Sequence, residues 1–140
     1  MSIWKKHLTL QQLNDFCQHC AVAHLGIEFT AQGDDWLEAC MPVDHRTTQP
    51  MGFLHGGISA ALAETVASTA GFCCVEENQA VVGLEINASH LRPVKQGYVC
   101  AKSSPIRLGK NVQVWQIDIR DEQDKLCCVS RLTLSIITHD

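Results

Sequence analysis

From Ile58 to Val75 the chain carries a single charged residue, Glu64, among Ala, Leu, Val, Ser, Thr and Cys. The Ala-rich composition favours helix, and at 1.5 Å per residue the segment extends ~27 Å, about the width of a small domain. A helix apolar on nearly every side belongs in an interior rather than on a surface. A membrane span needs ~20 residues with few or no charges, so the segment is read as a buried helix and a membrane partner is excluded. The rest of the chain must therefore wrap it.

That wrapper is legible as period-two alternation. Ala80 to Pro93, Tyr98 to Leu108, Val112 to Arg120 and Leu126 to Thr138 are rich in Val, Ile, Leu and Thr, the mark of strands. The connections Lys95-Gln96-Gly97, Gly109-Lys110-Asn111 and Asp121-Glu122-Gln123-Asp124 are short, which suits antiparallel neighbours and predicts a meander. Upstream, Thr9-Leu10-Gln11-Gln12 has the form of a capping box. Leu10, Leu13, Phe16 and Cys17 then recur at helical spacing, giving a helix from about Leu10 to Cys20. Leu25 to Phe29 and Trp36 to Met41 read as a hairpin turning at Gly33-Asp34-Asp35, and Pro42 to Pro50 is a polar loop. The order helix, hairpin, long helix, meander defines an α+β domain with one helix packed into a curved antiparallel sheet. With no linker or repeat, 140 residues fit one domain over 1–140. The charge balance, 11 Lys+Arg against 15 Asp+Glu, lacks the basic excess of a nucleic-acid binder.

Eight cysteines are many for this length. The N-terminal Met1 to Leu10 has no apolar signal core, so a secreted disulfide scaffold is not expected. Cys73-Cys74 and Cys127-Cys128 are sequence neighbours, which point apart in regular structure. Cys17-x-x-Cys20, with His19 and His24 close by, lacks a second pair at zinc-site spacing. The expectation is a cytoplasmic protein with reduced cysteines serving as small apolar packing residues, no metal site and no cofactor.

An ionised carboxylate inside an apolar helix is costly unless it is paired or reaches solvent. One reading of Glu64 pairs it with Arg92 or Arg131. The other is chemical. Ser68, four positions on, shares its face, and small Ala60, Ala61 and Gly71 leave room beside it. Upstream, Gln49 and the run Leu54-His55-Gly56-Gly57 precede the helix. Glycines at a helix start present free N–H groups that, with the helix dipole, can hold a developing negative oxygen. A carboxylate, an oxyanion-holding helix start and amide or imidazole donors are the parts of an acyl-transfer site. No G-x-S-x-G elbow is present, and no cysteine sits in an evidently electropositive spot. Glu64 lies two turns beyond Gly57, ~10 Å along the axis, too far for both to serve one carbonyl. A two-fold dimer would solve this by facing Glu64 of one copy toward His55 and Gly56 of the other, giving two identical sites.

The stretches Gly33-Asp34-Asp35, Met41-Pro42-Val43-Asp44, Gln49-Pro50, Leu54-His55-Gly56-Gly57, Leu62-Ala63-Glu64, Val82 to Ala88 and Val114-Trp115-Gln116-Ile117 carry a resemblance. In that order, over nearly the whole chain, they resemble the hotdog-fold thioesterases of the phenylacetate/4-hydroxybenzoyl-CoA type. Similarity is greatest to the paired bacterial enzymes that hydrolyse 1,4-dihydroxy-2-naphthoyl-CoA in menaquinone biosynthesis and proofread the enterobactin synthetase. The resemblance implies a hotdog fold, a long central helix wrapped by a curved antiparallel sheet. It makes Glu64 the catalytic carboxylate, as nucleophile or as base toward water. It puts Gly56 N–H on the thioester oxygen, has Gln49 and His55 orient the substrate, and has Ser68 assist.

Coenzyme A would fall on Gly83, on His90, Leu91, Arg92 and Pro93, and on Arg107, Leu108, Gly109, Lys110, Asn111 and Val112. Thr69 and Phe72 would line the acyl pocket. On their own chemistry, Arg92, Arg107 and Lys110 are cations at strand ends and a Gly turn, suited to phosphates. The implied partners are an acyl-CoA with an aromatic or related acyl group and a second copy of the chain, with a homotetramer as the family's assembly. The alternatives are a hydrolase clearing misloaded acyl groups from an aryl or acyl carrier protein, a hotdog dehydratase, and a non-catalytic ligand-binding module.

Overall fold

The predicted capping box closes the first helix, with Thr9 Oγ1 accepting from Gln12 N–H at 3.1 Å and Gln12 Oε1 accepting from Thr9 N–H at 2.9 Å. The computed structural model describes residues 1–140. Its elements are α1 (Leu10–Phe16), α2 (Ala21–His24), β1 (Glu28–Gln32), β2 (Leu37–Pro42), α3 (Gly56–Cys73), β3 (Gln79–His90), β4 (Tyr98–Leu108), β5 (Val112–Asp121) and β6 (Leu126–Thr138). The first helix stops at Phe16, short of the expected Cys20, and a separate single turn, α2, follows it. Strand β1 starts at Glu28, later than the expected Leu25. Gly26, at φ 77°, redirects the chain there, a conformation that glycine adopts without a Cβ penalty.

The six strands form one antiparallel sheet in the order β1-β2-β4-β5-β6-β3. The meander expectation holds for β4-β5-β6 only. Strand β3 pairs with β6, not β4, so the connection through Lys95-Gln96-Gly97 crosses over instead of turning between neighbours. Its backbone is tied to the earlier loop: Leu54 N–H donates to Val94 O and Val43 N–H to Gly97 O, each at 2.8 Å. Because β3 leaves this row and closes on β6, its outer edge has no partner.

Helix α3 lies across one face of the sheet, and a core of 24 buried residues fills the space around it. Leu62 and Val66 are buried together with Trp115, Ile117, Leu132 and Leu134. The helix comes close to the sheet at Gly71, where a Cβ would stand 2.5 Å from both Gln113 Oε1 and Leu134 Cδ1. Gln113 Nε2 donates to Gly71 O at 3.2 Å, and Trp115 Nε1 donates to Gln113 Oε1 at 2.9 Å, so both buried polar side chains are satisfied.

Two expectations need correction. Helix α3 is not enclosed on all sides: the sheet covers one face, and Ala60, Ala61, Glu64, Thr65, Ser68 and Thr69 form a half-exposed stripe. The cysteines are not all reduced, because Cys40 and Cys100 form a disulfide. The β2–β4 register sets these two directly opposite each other. Cys73, Cys74, Cys127 and Cys128 are buried packing residues, as expected. No helix is long and apolar enough to cross a membrane.

Candidate active site

The loop before α3 is shaped by Thr47, which is fully buried. Its Oγ1 donates to Pro42 O at 2.9 Å and accepts from Asp44 N–H at 3.0 Å, and its carbonyl accepts from His55 N–H at 2.8 Å. Asp44 pairs with Arg46 at 2.7 Å, and the guanidinium holds the Asp44 carboxyl down at about 2. The loop therefore delivers His55 in a fixed pose. As N-cap of α3, His55 accepts from Gly57 N–H through Nδ1 at 2.9 Å, which leaves its proton on Nε2 as a free donor. Gly56 N–H is one of the helix-start donors with no carbonyl a turn back to receive it. Gln49 Oε1 is occupied by the backbone N–H groups of Met51 and Phe53, so its amide nitrogen is what remains to donate.

Glu64 projects from the half-exposed stripe of α3. The expected alternative pairing with Arg92 or Arg131 is absent; the two ion pairs of the chain are Lys5–Glu76 and Arg46–Asp44. Glu64 Oε2 instead leans on Gly83 of β3, 2.5 Å from where a Cβ would stand there. Ser68, one turn further along α3, borders an apolar hollow of about 330 Å³ with Leu8, Leu13, Phe16, Cys17, Thr69, Phe72 and Val81. Thr69 and Phe72 thus border this hollow, which begins one helical turn beyond Glu64. The contributions of Leu8, Leu13 and Phe16 were not anticipated, because only the fold brings α1 and the residue before it to the same hollow as α3.

The other anticipated residues separate into two groups. Gly83, Leu134 and Gln113 lie in one row across β3, β6 and β5, and Gln113 pairs with Leu108. The turn carrying Arg107 to Val112 therefore sits at the Glu64 end of the sheet, about two strand spacings (~10 Å) from Gly83. His90 is in a row with Cys128 and Ile119, at the opposite end. Its Nε2 is 2.9 Å from the position a Cβ would take on Gly56. Leu91 and Arg92 follow it, both donating backbone N–H to Cys127 O. Gln49, His55, Gly56, His90, Leu91, Arg92 and Pro93 thus make one group, and Glu64, Ser68, Gly83 and the Arg107–Val112 turn make the other. Along β3 the two groups are ~23 Å apart, and along α3 the separation of Gly56 from Glu64 is ~12 Å. A single chain does not bring the two groups together.

The buried thiols of this region are held protonated. Burial pushes the Cys73 thiol up to about 11 and Cys74 to about 12, and it raises Cys17 as well. A protonated thiol is a poor nucleophile.

A curved antiparallel sheet around one long helix, with a lone carboxylate on that helix and glycines at its start, is the architecture of a hotdog-fold thioester hydrolase. Residues 51–128 match the model of the thioesterase superfamily, and the chain belongs to that family. It is 54% identical over 135 residues to the proofreading thioesterase EntH of Cronobacter turicensis, covering 96% of this chain and 98% of that one. A crystal structure of a thioesterase from Haemophilus influenzae superposes with a TM-score of 0.96 at 65% identity, covering 97% of this chain and 95% of the other. A mutant thioesterase of Pseudomonas aeruginosa superposes with a TM-score of 0.97 at 41% identity, covering 99% and 100%.

Proposed function

We propose that the chain, as one hotdog domain over residues 1–140, hydrolyses aromatic or related apolar acyl thioesters of coenzyme A in the cytoplasm, at sites shared between two copies. The overall change is R-CO-S-CoA + H2O → R-COOH + CoA-SH, with acyl groups like the 1,4-dihydroxy-2-naphthoyl group of menaquinone biosynthesis. The division of the candidate residues into two half-sites at opposite ends of the unpartnered strand β3 is the observation that supports sharing. If two β3 strands pair antiparallel about an axis between Ile86 and Asn87, Gly83 of one copy lies opposite His90 of the other. Glu64 of one copy then stands beside Gly56 of the other, and each dimer has two complete sites. The half-exposed stripe of small residues on α3 meets its counterpart in the same movement. Two such dimers would make the tetramer that the family resemblance implies.

In this site Gly56 N–H and the start of the α3 dipole hold the carbonyl oxygen as it gains negative charge. Glu64, free of any ion pair, takes the proton of the attacking water or attacks the carbonyl carbon itself. On either route the C–S bond breaks and the thiolate leaves, taking up a proton; on the second, water then hydrolyses the acyl anhydride on Glu64 and frees the carboxylate. His55 Nε2–H and the Gln49 amide orient the thioester, and Ser68 assists beside the carboxylate. The acyl group enters the hollow bordered by Thr69 and Phe72. Arg92 from one copy and Arg107 and Lys110 from the other meet the coenzyme A phosphates, with Gly83, His90, Leu91, Pro93, Leu108, Gly109, Asn111 and Val112 flanking the carrier. A second reading is favoured by the name of the Cronobacter relative: the same site clearing misloaded acyl groups from a carrier protein.

Mixing two inactive variants tests the shared site. Glu64→Ala removes the carboxylate. Gly56→Pro removes the N–H: proline is tolerated at the first helical position, His55, at φ −69° and ψ 128°, already has the extended conformation that precedes proline, and the added Cβ, 2.9 Å from His90 Nε2, displaces a side-chain end of the same half-site. After subunit exchange, half the dimers are mixed and each regains one of two sites, so about one quarter of parent activity returns. No recovery after demonstrated exchange overturns the shared site. Undiminished turnover of every acyl-CoA and acyl-carrier protein by Glu64→Ala alone overturns the role of Glu64. Faster turnover of the carrier-protein thioesters by the parent selects the second reading.

A further inference from the structure

On the face of the sheet turned away from α3, the disulfide Cys40–Cys100 lies beside Glu38. Cys40 and Cys100 are direct cross-strand partners in β2 and β4. Glu38, two residues before Cys40, projects from the same side of β2. Its Oε1 is 4.0 Å from Cys40 Sγ, and the two sulfurs and this oxygen all lie within 4.8 Å of one another. No other three His, Cys, Asp or Glu side chains converge in this way anywhere in the chain. We propose that reduction of this disulfide opens a binding site for a thiophilic divalent cation, zinc in the first instance, held by Cys40, Cys100 and Glu38.

The chemistry suits the donors. Two thiolates and a carboxylate are a normal zinc set, with the fourth tetrahedral position left to water. Sulfurs bonded to one zinc at ~2.3 Å stand ~3.8 Å apart, a separation that side chains on directly opposed strand residues reach without moving the backbone. Glu38 is already oriented: Thr30 Oγ1 donates to its Oε1 at 2.8 Å and lies 3.4 Å from Cys40 Sγ. A partner behind a ligand fixes its direction and raises affinity.

The surroundings favour a cation. The open hollow of about 600 Å³ over this face is bordered by Glu38, Asp118, Asp121, Glu122 and Asp124 against Lys102 and Arg120. Both cations are turned to other partners, Lys102 over the Trp36 ring at 4.3 Å and Arg120 Nη1 to Asp124 O at 3.3 Å. The reductive step balances with a dithiol: the Cys40–Cys100 bond breaks, the reductant forms its own disulfide, and two electrons and two protons pass to the cysteines. The metal then displaces both thiol protons to solvent. The site is on the opposite face of the sheet from Glu64, so it stands apart from the hydrolytic proposal.

The test uses the full chain and Co²⁺ as a spectroscopic probe for Zn²⁺, before and after reduction by a dithiol that is then removed. The reduced protein should bind one Co²⁺ with a thiolate-to-metal charge-transfer band that Zn²⁺ abolishes, and the oxidised protein should bind none. Cys40→Ser and Cys100→Ser should each lose the band at the Tm of the reduced, metal-free parent. Glu38→Gln should weaken binding by about tenfold or more. The double variant Cys17→Ser/Cys20→Ser should bind like the parent. Absence of the band from the reduced parent, its survival in Cys100→Ser, or its loss in Cys17→Ser/Cys20→Ser overturns the proposal.

Discussion

Gly83→Ala offers a graded test of where Glu64 acts. The new methyl carbon would stand 2.5 Å from Glu64 Oε2, and 3.4 Å is where ordinary contact begins, so the carboxylate must retreat by roughly 1 Å. What retreats is the free end of a flexible side chain on a half-exposed stripe, so the cost to folding is small. Gly83 does not use positive φ, and alanine within a strand recovers roughly 0.5–1 kcal/mol of glycine's entropic cost. Stability should therefore hold or rise. Catalysis should not hold. A displacement of about 1 Å at a reacting group costs on the order of 10²-fold in rate, equivalent to ~2.7 kcal/mol in the barrier.

The assay is thiol release from an aromatic acyl-CoA, with kcat and KM resolved and Tm measured on the same samples. A kcat lower by about 10²-fold at an unchanged or raised Tm is the expected result. In a Glu64→Ala background the same substitution should cost nothing further, because there is no carboxylate left to displace. Parent-like kcat in Gly83→Ala would refute the reasoning, as would an undiminished penalty in the Glu64→Ala background.

Other perturbations probe the scaffold. Gly71→Ala drives a methyl into Gln113 and Leu134 with no flexible exit, so the urea midpoint should fall by the equivalent of about 1–3 kcal/mol. Thr9→Ala removes the capping box of α1 and should cost ~1 kcal/mol, seen as faster amide exchange in α1. With a thiol reagent at pH 8, exposed Cys20 should react first, while Cys73 and Cys74 stay silent until the chain unfolds. Their raised pKa values also fix the sign of an alkaline effect. Above pH 9.0 an unfolded chain sheds these protons, whereas the native chain keeps them to about 11 and 12, so stability should fall as pH rises through that window. Urea midpoints that rise between pH 9 and 11 would contradict this.

The disulfide and the edge strand share one cause of illegibility. Each is a matter of register between segments far apart in the chain. Cys40 and Cys100 are 60 residues apart, and nothing local to either marks the other as its partner. The short Lys95-Gln96-Gly97 connection looks like a hairpin turn, yet β3 had a better partner in β6, which covers it along its whole length. Glu64, by contrast, was conspicuous because a charge in an apolar helix needs a reason, and the glycines before that helix announced a donor-rich start.

The sequence by itself determined the elements and the reactive groups. Helical and two-residue periodicities are local properties of side chains along a backbone, so the long helix, the strand segments and the capping box could be read directly. So could the chemistry of a lone carboxylate and an N–H-rich helix start. Only the tertiary structure decided which strand lies at the sheet edge and which face of α3 stays open. It also decided that Glu64 falls against Gly83 and Gly56 against His90. Those outcomes depend on which long-range pairing buries the most surface and satisfies the most backbone hydrogen bonds, a competition among all segments at once.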